Sequence, residues 1–485
     1  MIQYYDDTMA AICPPDHRER GKTDPMARKI LGLMALFLCL TGLSGCVFSS
    51  VEEMYALPKS SEAYVNLQAK INTEKGSAEY IAPLSGENRQ TIQLVDVDGD
   101  GTQEAVAFFR DPEAEAPLKI VFFRQDEDGE YQPWARIEGV GAEIESIDYL
   151  DLCEPQGSEI LVSWQVNASV RDLVGYTIKE SQPVEILRTS YDSYLAADLD
   201  QDGQEELVLT QPVTDSMAVW EVEYYDGSQG RMERISATPL SEGAADISTW
   251  TAGLLADEVP ALFVTSYYGK EDLITDVFCL GEQGLENIAL REGSRRSGDI
   301  FHYYAGVHPA DINGDGITDV PVAQSIPAYG DSTAGEFWWL HWMTYRSDGT
   351  STQVLTTYHS GDGWYLEIPD TWTGAFSMCR QENSATGVRS VLFAQGVELA
   401  QEEEDEGEDE DNLSNAQPIS FLSISTLMGA DRGELAQLGQ RFTLASDSTT
   451  IFTGEFFDGW DCGLDEDTLR QRFHQNAGTW SYVSH

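Results

Sequence analysis

Residues 94–106 read LVDVDGDGTQEAV, and the pattern returns as AADLDQDGQEELVL and PADINGDGITDVPV. Each copy carries acids or amides at positions 1, 3 and 5, glycine at 6 and another acid at 9. These are Asp96, Asp98, Asp100, Gly101 and Glu104; Asp198, Asp200, Asp202, Gly203 and Glu206; and Asp311, Asn313, Asp315, Gly316 and Asp319. Alternate residues of a tight turn converge their side chains on one point, and calcium takes about six to eight oxygens at about 2.3 to 2.6 Å. Position 7 (Thr102, Gln204, Ile317) would add a backbone carbonyl, and glycine at 6 permits the bend. The bland alternative is a solvated acidic turn. By charge count the third loop, with Asn313 for one carboxylate, is expected to fill last.

An EF-hand needs a bidentate glutamate at position 12 and a helix on each side. Position 12 is Ala107, Leu209 and Val322, so that reading fails. Short apolar stretches enter and leave each loop instead (IQLV and AVAFF, SYLAA and LVLT, then VPVA), which are strand signals. Loops of this kind between two strands resemble the FG-GAP or VCBS-type repeat of integrin-like β-propellers, over roughly residues 90 to 360. The resemblance implies calcium-holding loops on propeller blades. A degenerate copy runs from Asp151 to Glu159, with Cys153 and Pro155 where carboxylates belong, and is expected to bind no metal; AGLLADEVPALFVTSY is fainter still. Behind each loop comes a second hairpin, as in KIVFFRQDEDGEYQ and FWWLHWMTYRSDGTSTQVL, most with the glycine that a tight bend demands. Five units of roughly 47 to 58 residues are visible, a period suited to four-stranded blades, with the blade number left open.

Composition bounds the partners. Only 29 basic residues stand against 83 acidic ones, which disfavours nucleic acid and favours cations. Arg28 and Lys29 precede the apolar run ILGLMALFLCLTGL, too short to span a bilayer and suited to a signal peptide. It ends in LSGC, which resembles the lipobox of bacterial lipoproteins; the resemblance implies lipidation of Cys46 and an extracytoplasmic protein whose contact with the membrane is that anchor. Residues 1–25 fit no part of such a signal, so Met26 is the expected start.

The expected organisation is an upstream segment and signal over 1–45, an anchor linker with a short helix over 46–90, repeats over 91–360 and a small α+β domain over 361–485. Within the last region, nine acids among residues 402–411 suggest a disordered acidic loop over 401–416. Cys379 and Cys462 could pair or be buried thiols. In FWWLHWMTY both faces of the strand read as core rather than as a sugar-stacking platform. No H-E-x-x-H helix, nucleophile elbow or glycine-rich phosphate loop occurs. The expectation is therefore a mainly β, lipid-anchored cell-envelope protein that acts as a non-enzymatic binding or scaffold module toward an envelope protein or glycan. The alternatives are a polysaccharide lyase or hydrolase on a propeller scaffold and a sensor partner of a membrane protein.

Overall fold

The computed structural model describes residues 62–475 apart from 154–156, 213–219, 229, 270–271, 291–292, 299, 303–306 and 397–417. The signal segment, Cys46 and the acidic run 401–416 lie outside the described residues. The chain divides into two compact units, Met1–Val65 and Asn66–His485. Helix α1 (Glu62–Lys75) ends at Gly76, whose φ of 54° suits a glycine stop.

Six antiparallel sheets of four or five strands make up the described part of the second unit. Sheet 1 holds Glu79–Tyr80, Ile92–Val95, Glu104–Arg110, Leu118–Gln125 and Tyr131–Gly139. Sheet 2 holds Glu143–Leu150, Glu159–Gln165, Arg171–Lys179 and Gln182–Tyr191, and sheet 3 holds Ser193–Ala197, Glu206–Pro212, Trp220–Ser228 and Arg231–Pro239. Sheet 4 holds Ala244–Leu254, Pro260–Tyr268, Asp272–Gly281, Gly284–Asn287 and Ile300–His302. Sheet 5 holds Asp319–Pro327, Glu336–Tyr345, Ser351–Ser360, Trp364–Glu367 and Phe473–Gln475. Sheet 6 holds Phe376–Asn383, Val388–Gln395, Ile419–Met428, Phe442–Ser446 and Thr450–Phe456. This mainly β, multi-sheet architecture is compatible with a β-propeller.

In sheets 1, 2 and 4 the strand that follows the loop reads as a near-continuous apolar run because both of its faces are buried. In sheet 3, Val208 packs with Leu262 and Val264 of sheet 4, while its neighbours Leu207 and Leu209 pack with Leu161 and Leu173 of sheet 2. Sheets 1 and 2 share Phe108, Phe122, Ile147 and Val162, and sheets 4 and 5 share Phe263, Val277, Val320 and Tyr345. Sheets 2 to 5 thus each lend residues to one core with the sheet before and to another with the sheet after. On the outer face of sheet 1, Leu67 and Ile71 of α1 cover Ala107, Phe109 and Phe123. A fully buried phenylalanine such as Phe108 contributes about 1.5–3 kcal/mol through burial alone, so no single sheet keeps its stability without a neighbour.

The region expected as α+β contains, among its described residues, helices α2 (Arg432–Leu435) and α3 (Glu466–Arg472) and seven strands. Its first and last strands join sheet 5, where Tyr365 pairs with His474, and its middle strands form sheet 6. One core spans residue 360: Trp339, Tyr358, Trp364, Trp372, Phe393, Phe421 and Phe473 belong to the same cluster. No disulfide joins the described cysteines Cys153, Cys279, Cys379 and Cys462.

Candidate metal centre

The three acidic loops occupy the same place in their sheets. In each, the residue before position 1 pairs across the strands with position 9: Val95 with Glu104, Ala197 with Glu206 and Ala310 with Asp319. Position 4 is left-handed in all three, with φ of 71° at Gly99, 64° at Gln201 and 78° at Gly314. Position 6 is left-handed too, at 85°, 92° and 86° for Gly101, Gly203 and Gly316. Two reversals in three residues turn the backbone back on itself and carry the acids inward.

Backbone N–H groups then fix those acids. The position-1 carboxylates of Asp96, Asp198 and Asp311 accept the N–H of Gly101 at 2.9 Å, Gly203 at 3.2 Å and Gly316 at 2.8 Å. The side-chain oxygens of Asp98, Asp200 and Asn313 accept the N–H of position 5 at 3.2, 3.0 and 3.0 Å. Asp100, Asp202 and Asp315 accept the N–H of Thr102, Gln204 and Ile317 at 2.7, 2.8 and 2.8 Å. In the second loop Asp198, Asp200, Asp202 and Glu206 bring oxygens within 4.8 Å of one another; in the first, Asp96, Asp98 and Glu104 do so.

Position 9 is the buried member of each set. Glu104 and Asp319 are 0% exposed and Glu206 is 2% exposed. Glu104 Oε2 accepts the N–H of Val97 at 2.9 Å and Glu206 Oε2 that of Leu199 at 2.6 Å, while Asp319 Oδ1 accepts the hydroxyl of Thr344. The second oxygens, Glu104 Oε1 and Asp319 Oδ2, are buried without a hydrogen-bond partner. Burial raises the pKa of Glu104 and of Asp319, with nearby aspartates adding to the effect, and lifts Glu206 to about 7. A buried carboxylate oxygen with no partner, facing further carboxylates, lacks the positive charge that a hard cation would supply. The donor set therefore fits calcium.

The degenerate loop keeps the position-9 hydrogen bonds although it lacks acids at positions 3 and 5. Glu159 is 2% exposed and accepts the N–H groups of Leu152 at 2.9 Å and Cys153 at 3.2 Å. In the faint copy Leu254 pairs with Pro260, which leaves a turn of residues 255–259. Neighbouring loops interlock through position 8: the N–H of Ser158 donates to Val97 O at 2.8 Å, that of Glu205 to Asp151 O at 2.6 Å and that of Thr318 to Leu254 O at 3.0 Å.

Of the clefts outside the loops, two gather groups that could carry chemistry. One, of about 230 Å³ between the first strands of sheets 2 and 3, gathers Glu145, Asp148, Arg171, Asp192, Tyr191 and Tyr194. Tyr194 donates its hydroxyl to Asp148 Oδ2 at 2.5 Å, and burial raises the pKa of Asp148 and of Asp192. The other, of about 500 Å³, runs between sheets 5 and 6, where His341 bonds Gln324 at 2.7 Å and Thr356 at 3.0 Å. Trp339 and Trp372 line it, yet each is 6% exposed, so their rings serve the core.

No family model and no curated protein matches the chain. Solved structures with some likeness include a protein from Lactobacillus plantarum, at 11% identity and a TM-score of 0.25, covering 66% of this chain and 88% of that one. AofleA from Arthrobotrys oligospora gives 10% identity and a TM-score of 0.22, with the same coverage. The mannose phosphorylase MPT-4 from Leishmania mexicana gives 8% and 0.18, covering 70% of this chain and 91% of its own. At these values the likenesses carry no statement of function.

The acid–glycine spacing did not reveal the residue facing position 9 across the next hairpin. Asp319 pairs directly with Thr344, whose hydroxyl donates to Asp319 Oδ1. One step beyond the Ala105–Phe123 pair stands Arg124, and one step beyond Leu207–Tyr225 stands Asp226. Arg124 reaches Asp98 at 2.6 Å and Asp100 at 3.1 Å. Burial and then the charge of Asp200 raise the pKa of Asp226.

Proposed function

We propose that this chain is an exported, lipid-anchored cell-envelope protein with an FG-GAP or VCBS-type β-propeller, one blade per sheet, held by calcium in the three acidic loops. It acts as a non-enzymatic binding or scaffold module toward an envelope protein or glycan. The observation that carries this reading is the buried position-9 carboxylate, which in the first two loops converges with the other acids and whose second oxygen in Glu104 and Asp319 is buried without a partner. The sequence LSGC carries the anchor, with Cys46 as the lipidated residue. Two acyl chains are needed for stable attachment. Fractionation of cells expressing the full chain or Cys46→Ala tests the anchor: release of the variant, or an unprocessed precursor, supports it, and a processed variant that stays with membranes opposes it.

A second reading, an enzyme acting on envelope polysaccharide, has one observation in its favour. The cleft of Asp148, Asp192, Arg171, Tyr191 and Tyr194 gathers carboxylates with an arginine and tyrosines. Release of oligosaccharides from cell-wall polysaccharide by the purified chain, abolished by Asp148→Asn, would favour it over the binding module.

A further inference from the structure

The first and second loops offer the same four carboxylates, yet their surroundings are opposite in charge. In the first, the position facing Glu104 is Arg124, and its guanidinium lies 2.6 Å from Asp98 and 3.1 Å from Asp100. In the second, the corresponding position is Asp226, a further carboxylate beside Asp200 and Asp202. The consequence is visible in the geometry. All four acids of the second loop converge, whereas in the first Asp100 stands outside the convergent set of Asp96, Asp98 and Glu104. Arg124 does not satisfy the first loop fully, because Glu104 Oε1, in a side chain that is 0% exposed, remains without a hydrogen-bond partner.

We infer that Arg124 is a resident counter-ion of the first loop, which a divalent cation must displace from Asp98 and Asp100 before it can enter. This rests on the reading of the loops as calcium sites and changes the order expected from charge count. The first loop, with four carboxylates, fills after the third, which has three and an amide but faces the neutral Thr344. The second fills first. Arg124 is suited to yielding: its side chain is 40% exposed and lies over Trp134 at 5.3 Å, so it has an apolar surface to rest on once its carboxylates are taken.

The test isolates the first loop in the full chain. Asp200→Ala and Asp311→Ala disable the other two, and calcium is titrated by calorimetry into this background with Arg124 retained, with Arg124→Gln or with Arg124→Lys, beside the otherwise unaltered chain. Removing a unit charge a few ångströms from a divalent ion in an exposed turn is worth roughly tenfold. Arg124→Gln is therefore expected to tighten binding by about tenfold, and Arg124→Lys, which keeps the charge, by much less. Calcium uptake by the unaltered chain, together with equal affinities in the background with and without Arg124→Gln, would overturn this inference alone. So would uptake by the unaltered chain and by neither of those two. No uptake by any chain would overturn the reading of the loops with it. Melting curves confirm that each variant is folded, and Arg124→Ala serves where the glutamine variant is not.

Discussion

The carboxylate of Glu159 accepts the N–H of Leu152 at 2.9 Å, the bond that Glu104 makes to Val97 and Glu206 to Leu199. It does so in a loop where Cys153 and Pro155 have replaced acids at positions 3 and 5. The position-9 acid is thus a clamp on the turn in its own right, and in the intact loops the same group has an oxygen left over for a cation. Glu159→Ala would strand the buried N–H of Leu152, at a cost of about 1–3 kcal/mol. Urea denaturation should show that loss with no change in the number of calcium ions bound. A change below about 0.5 kcal/mol would mean that the clamp is dispensable.

The second loop carries a strain that its siblings avoid. Position 4 is left-handed at Gly99 and Gly314, but in the second loop it is Gln201, with φ of 64°. A non-glycine residue there costs on the order of 1 kcal/mol. Gln201→Gly should raise the stability of the calcium-free protein by up to about 1 kcal/mol, less the entropy glycine loses on folding. A lower melting temperature for the variant would contradict this account of the turn.

Sheets 3 and 4 are joined by a buried carboxylate. Asp276 is 0% exposed and accepts the N–H of Ser241 at 2.9 Å, its hydroxyl at 2.6 Å and the Asn287 amide at 2.9 Å. Asp276→Ala leaves those donors unpaired and should cost about 3 kcal/mol, read by denaturant titration. A loss under about 1 kcal/mol would show that the junction does not depend on it.

The acid–glycine spacing and the strands on either side were legible because both are local: a turn and its flanking alternation are written within about a dozen residues. Arg124 and Asp226 were not, since they reach the loops through the register of the next hairpin, beside bulges at Phe122/Phe123 and Tyr224/Tyr225. The shared left-handed position 4 was hidden by Gln201 in the one copy that lacks glycine there. After residue 360 the strands and helices were readable one by one. The pairing of Tyr365 with His474, which ties the end of the chain to sheet 5, has no local signature.

The loops also set a pH dependence. A carboxyl whose pKa is raised on folding binds more protons in the folded chain, so stability falls as pH rises from its unfolded to its folded value. For Glu206 that window runs from 4.5 to about 7, and Glu104 and Asp319 shift in the same direction. The melting temperature of calcium-free protein should therefore decline across this range, and Glu206→Gln should flatten the decline. Saturating calcium, which neutralises the same group, should flatten it too. An equal slope with and without calcium would separate these carboxylates from the metal.

Calorimetric titration of calcium into the calcium-free full chain decides whether the three acidic loops hold metal. Three ions are expected to bind, at about 10⁻⁴ to 10⁻³ M if the loops behave as those of extracellular modules do, with a melting temperature that chelator lowers and calcium restores. Asp98→Ala and Asp200→Ala should each remove one ion, and Asp151→Ala none. No uptake up to about 10 mM, well above that range, with no effect of chelator, would make the three loops solvated turns.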